Sequence, residues 1–240
     1  MAIHFTPEAT KIVFFDLEFY VPASDRRRKP YPFISNPHLS GHKLLGGVFT
    51  LVFPLQPDRK PETTNFWIWN YDDEKALINN IYNYFTSLWK DILKIRNHAS
   101  LITAGISIAR ADIPYLYAKS LQHQIDSPEH IYDCFFNLRT IDLNVLGVPY
   151  FKTKANKEHT LYPKTKNDLL QRFEIEGTKQ SGSSVWELFD NGDYKAIENR
   201  TVNEVAEIQE LYNKMYELIG LPSDLHTLQH ILQHHPDAKK

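Results

Sequence analysis

The stretch KIVFFDLEFY, Lys11 to Tyr20, places two carboxylates close together inside an otherwise apolar run. Its β-branched and aromatic residues argue for a strand. Alternation then puts Phe14, Asp16 and Glu18 on one face and Val13, Phe15 and Leu17 on the other. Two acids therefore share an apolar face. Such a pair must be neutralised by cations or protons, or must lie at a solvated strand end. Hard oxygen donors of this kind suit Mg²⁺ or Mn²⁺.

Downstream of this strand, Val21 to Gly41 is rich in Pro, Ser and His and has the composition of a loop. It carries Arg26, Arg27, Arg28 and Lys29 in succession, which either grip phosphates or form a solvated basic loop. Lys43 to Phe53 and Thr64 to Trp69 predict two strands joined by a Pro-rich turn, hence an antiparallel hairpin. Asp72 or Asp73 caps a helix whose apolar stripe runs from Ala76 and Leu77 through Phe85 to Ile92. Ser100 to Ala104 predicts a short buried strand, and Ala109 to Leu121 a helix with Asp112 and Pro114 in its first turns. The helix dipole favours a carboxylate there, so Asp112 also has a purely structural reason.

A further helix is predicted from Ser127 to Leu138, then a strand from Thr140 to Val145. Tyr150 to Asn167 interleaves Lys152, Lys154, Lys157, Lys164 and Lys166 with aromatic residues, which suits a single-stranded polyanion or a solvated loop. Helices follow at 167–173, 184–189 and 193–219, the last with Val202, Val205, Ile208, Tyr212 and Met215 as its apolar stripe. A terminal helix from Ser223 carries His226, His230, His234 and His235, read as a solvent-facing end or as metal ligands at helical spacing.

Composition narrows the classes. With 240 residues, 42% of them hydrophobic, the chain can bury a full core, and the expectation is one domain over 1–240 with a helical extension from about residue 221. The net charge of -2 means that nucleic-acid contact must come from local basic segments. Cys134 is the only cysteine, so an internal disulfide framework is excluded and a small core residue is expected. MAIHFTPEATK has no apolar signal core, and Leu44 to Leu55 is too short to span a bilayer. The expectation is a soluble cytoplasmic protein with no membrane partner.

Two later stretches join the acid pair: ITAGISIARADIPYLYAKSL at 102–121 and SGSSVWELFDNGDYKAIENRTVNEVAEIQELY at 181–212. In this order the chain resembles a DEDD-type 3'-5' exonuclease of the ribonuclease-H-like superfamily. It is most similar to predicted exonucleases related to the proofreading domain of family B DNA polymerases. The resemblance covers roughly Lys11 to Leu218. It implies an α/β fold, a ribonuclease-H-like mixed five-stranded sheet with strand two antiparallel and helices on both faces. It also implies release of nucleoside monophosphates from a 3' end, single-stranded DNA being the favoured substrate, with two Mg²⁺ or Mn²⁺ ions. Asp16 would bridge the two ions, Glu18 would hold the nucleophile-side ion and Asp112 the leaving-group-side ion.

The chain departs from the family pattern at the second and third motifs. Ser107 stands where relatives have Asn, and Ala111 where they have an apolar or aromatic residue. Arg200 and Glu204 replace the family's Tyr and Asp. Arginine stays protonated and cannot serve as a general base. Arg200 is read either as a surface ion pair with Glu204 or as a guanidinium lying over the metal site. An active exonuclease and a catalytically weakened nucleic-acid-binding module of the same fold are thus both open. Neutralising Lys152, Lys154 and Lys157 is expected to lower the log-log salt slope of oligonucleotide binding by about 0.7 for each phosphate that no longer meets a cation. A fluorescence-anisotropy titration across salt concentrations checks this, and an unchanged slope makes the segment an ordinary loop.

Overall fold

β1 (Lys11–Tyr20) is the middle strand of the sheet, and its alternation divides the core into two halves. The structure, a computed structural model, describes residues 9–26, 35–94, 100–151, 165–177 and 182–218. β2 (Lys43–Val52) pairs antiparallel with β1, and β3 (Glu62–Trp67) antiparallel with β2. On the other side β4 (Leu101–Gly105) lies parallel to β1, and β5 (Arg139–Asp142) parallel to β4. Among the described residues the order is β3-β2-β1-β4-β5, a mixed five-stranded α/β arrangement of ribonuclease-H-like general shape.

Helices cover both faces. Val13, Phe15 and Leu17 pack with Phe49, Phe85, Leu116 and Phe135 beneath α1 (Glu74–Lys94), α2 (Asp112–Gln122) and α3 (Pro128–Phe136). Ile12 and Phe14 point the other way, toward Leu169, Val185, Ile197, Val205, Ile208 and Met215. Each fully buried side chain of this size contributes roughly 1.5–3 kcal/mol, so the strand's alternation is strongly enforced. The helix starts are fixed locally. Ala76 N donates to the Asp73 carboxylate at 2.7 Å, and His130 N to the Ser127 hydroxyl. Cys134 is a buried thiol, as expected of a lone cysteine in an apolar helix stripe.

Two local expectations are corrected. The strand expected to run on to Val145 stops at Asp142, because the Asp142 carboxylate accepts from Asn144 N at 3.2 Å and starts α4 (Leu143–Leu146). Beyond it, α5 (Lys166–Arg172) opens on a reciprocal cap between Thr165 and Asp168. α6 (Ser184–Asp190) and α7 (Tyr194–Leu218) follow and pack together on β1. In α7, Val202 is 45% exposed, and the buried face instead carries Arg200, Thr201, Glu204 and Glu207 beside Val205 and Ile208. Polar partners beneath the helix, described below, set that rotation.

Opposite the acid pair the sheet is irregular. Glu18 pairs with Gly46 but Phe19 with Leu44, so β2 carries one extra residue there. Gly46 has φ +133°, and a Cβ on it would run into the Phe66 carbonyl. A Cβ on Gly47 would meet the Asp16 carbonyl oxygen. Glycine is therefore required where β2 and β3 close on the strand end that carries the acids. Gly46→Ala is expected to cost about 1–3 kcal/mol, measured by urea denaturation; an unchanged midpoint would show that the bulge relaxes freely.

Candidate metal centre

Beyond Phe14, β1 outruns its pairing with β4, which ends at Ala104. The protruding end carries Asp16 and Glu18, and α7 crosses it. One oxygen from each of Asp16, Glu18 and Glu204 lies within 4.8 Å of the other two. Asp112, first residue of α2, does not join that set. Its carboxylate accepts from Leu17 N at 3.2 Å, from the backbone between the two β1 acids. The unpaired strand edge beyond β4 thus explains why an acid is seated there.

Cations enter from α7 and α5. Arg200 donates through Nη1 to Glu18 at 3.2 Å and through Nη2 to Glu204 at 2.9 Å. The Thr201 hydroxyl lies 3.0 Å from the same Glu18 oxygen. Lys166 Nζ is 3.0 Å from Glu204 and 2.7 Å from Glu207. Arg200, Glu18 and Glu204 are each more than nine-tenths buried, so this is no surface ion pair.

Burial dominates the electrostatics. It raises the Asp16 carboxyl well above the usual range, and the carboxylates of Glu204, Glu18 and Asp112 add to the effect. Glu18 is pushed up to about 8 because burial outweighs the favourable charge of Arg200. Asp112 is pushed up to about 7, burial again exceeding the backbone hydrogen bonds it receives. Burial alone lowers the Arg200 guanidinium, but Glu18, Glu204 and Asp16 more than offset it and hold it charged. Lys166 is held charged in the same way by Glu204 and Glu207.

Of the basic residues read from the sequence, Arg26 is engaged within the fold. It pairs with Asp190 at 2.8 Å, donates from Nε to the Val21 carbonyl, and lies over the Tyr20 and Trp186 rings. Arg27, Arg28, Lys29, Lys152, Lys154 and Lys157 lie outside the described residues, as does the histidine-bearing segment from Ser223. Lys166, a member of the basic loop by composition, instead reaches the centre from the first turn of α5. Its signal is local: Thr165 and Asp168 have capping-box spacing, which starts a helix at Lys166.

Thr201 and Asp142 are positions around the acid cluster that periodicity and motif order pass over. Asp142 ends β5 and accepts from Ser107 N at 3.0 Å and Ala109 N at 3.2 Å, holding the turn that delivers Asp112. Ser107 adopts φ 63° and accepts from the Asn144 side chain at 3.0 Å. An acid at the carboxyl end of a parallel strand, beside the acids of β1, is the available clue.

No protein-family model matches the chain, and no curated protein matches it in sequence. Among the described residues no helix is long and apolar enough to cross a membrane. The chemistry of the donor set fits a hard divalent cation: three carboxylate oxygens converge, those of Glu18 and Glu204 buried and that of Asp16 half-buried, and their crowded charge calls for neutralisation.

The three raised acids give a sign to the pH dependence. Their native pKa values exceed the unfolded ones, so the native state holds the extra protons. Their stabilising contribution is complete below the ordinary carboxylate range and is lost as pH rises through about 7 and 8. The melting temperature in chelator is expected to fall between about pH 5 and 8, and Mn²⁺ to raise it most at the alkaline end. Differential scanning calorimetry checks this; a midpoint that climbs with pH in chelator contradicts the buried-acid arrangement.

Proposed function

We propose that the protein is a metal-dependent 3'-5' exonuclease that hydrolyses the terminal phosphodiester of a nucleic acid, single-stranded DNA being favoured. The observation that carries this reading is the convergence of Asp16, Glu18 and Glu204 within 4.8 Å on a ribonuclease-H-like sheet. Their spacing in the sequence follows the motif order of the exonucleases that the chain resembles. Mg²⁺ or Mn²⁺, two ions in the resemblance, would be held by Asp16, Glu18 and Glu204 with Asp112 beside them. A bound ion supplies Lewis-acid stabilisation of phosphoryl oxygens and a more acidic water.

The chain's own groups do the rest. Leu17 N orients Asp112, and Thr201 with Arg200 orients Glu18. The Arg200 guanidinium, charged and fixed by two carboxylates, is suited to donate to a phosphate oxygen at the strand end. Hydrolysis adds water across the terminal P–O3' bond, giving a nucleoside 5'-monophosphate and a shortened chain with a new 3' hydroxyl. The Arg200 guanidinium stays protonated and cannot take the water's proton.

The second reading, a nucleic-acid-binding module of the same fold without turnover, is favoured by one observation. Arg200 already engages both Glu18 and Glu204, two of the three converging acids that would hold metal. An oligonucleotide labelled at its 5' end, incubated with Mg²⁺ or Mn²⁺ and resolved on a sequencing gel, separates the two. The exonuclease gives a ladder shortened from the 3' end, and Asp16→Asn is expected to slow it by roughly 100-fold or more while keeping the fold. Binding without shortening, in either metal, leaves the module reading.

A further inference from the structure

Resting on the metal-centre reading above, we infer that Arg200 and Lys166 stand in for the second cation, so that the substrate-free centre takes one divalent ion and not two. Arg200 spans Glu18 and Glu204, with one Nη on an oxygen of each. Glu18 and Glu204 are two of the three carboxylates that would hold the ions. Lys166 adds its ammonium to the same Glu204 oxygen and to Glu207. Both cations are deeply seated: the Arg200 side chain is 6% exposed and that of Lys166 21%.

Electrostatic repulsion points the same way. Asp16, Glu18 and Glu204 converge with Asp112 at their edge, and Arg200 and Lys166 are two cations already fixed among them and Glu207. A second divalent ion would place like charges beside a guanidinium that cannot deprotonate. Among the described residues the cations pair directly with Glu18 and Glu204 and act on Asp16 only from a distance, which leaves Asp16 as the chief ligand for the single ion, with the Glu18 and Glu204 oxygens not taken by Arg200. The substitution of Arg for the family's Tyr then has a chemical sense: a permanent charge replaces an exchangeable one, and it faces the place where a scissile phosphate would bind.

The test is Mn²⁺ stoichiometry on the full chain without nucleic acid, by loss of the free-ion electron paramagnetic resonance signal and by calorimetry. Wild type is expected to bind one ion and Arg200→Gln two. Lys166→Met, at the less buried cation, is expected to keep one ion and bind it roughly tenfold more tightly. Circular dichroism melts establish that each variant is folded, and the wild-type count needs no variant at all. Two ions in wild type overturn this inference and leave the proposed function standing. One ion in both wild type and folded Arg200→Gln, or unchanged affinity in Lys166→Met, also overturns it. No Mn²⁺ binding by wild type removes the metal centre itself, and the proposed function with it.

Discussion

A carboxylate taken out of water loses hydration that only a cation, a proton or hydrogen-bond donors can replace. Around the end of β1 the protein faces this cost for Asp16, Glu18 and Glu204 in one small volume, with Asp112 at its edge. Each solution seen nearby answers it. Leu17 N serves Asp112, Thr201 and Arg200 serve Glu18, and Arg200 with Lys166 serves Glu204. Asp16 has the fewest compensations, and burial raises its carboxyl well above the ordinary range.

The sheet makes that crowding geometrically feasible. β1 runs past the end of its pairing with β4, so its last residues have a free edge that a turn and helix N-terminus can approach. On the opposite edge, Gly46 and Gly47 let β2 and β3 close without side chains in the way. The apolar residues of β1 are held between two cores, which fixes the strand while its end carries charge. A buried network of this kind is costly to break from one side, because removing one partner leaves an uncompensated charge.

Function follows from what such an end can hold. Converging hard oxygen donors suit a divalent cation, and a fixed guanidinium beside them suits a phosphate. The proposed exonuclease activity uses both features, and the inferred single-ion occupancy distinguishes this centre from the two-ion arrangement that the resemblance implies. The tension between an acid cluster that could hold a metal ion and an arginine already seated in it is the chemical character of the site.

The amino-acid sequence by itself determined the elements whose cause is local. Alternation in KIVFFDLEFY split the core correctly, the Asp73 and Ser127 caps began their helices, and Asp16 and Glu18 were readable as neighbours because a strand's period is two. Their meeting with Glu204 was readable only through motif order, since no local rule joins a strand to a helix so far along the chain. What tertiary structure decided was rotation and docking. Thr201 rather than Val202 turns inward, because a hydroxyl against Glu18 outweighs one exposed valine; Arg200 is buried rather than on the surface; Lys166 leaves its basic neighbours for Glu204; and Asp142 ends a strand to hold the Ser107 turn. Periodicity gives a helix's stripe, but a polar residue's side is chosen by the partner that packing brings within hydrogen-bond reach, and that partner is remote in sequence.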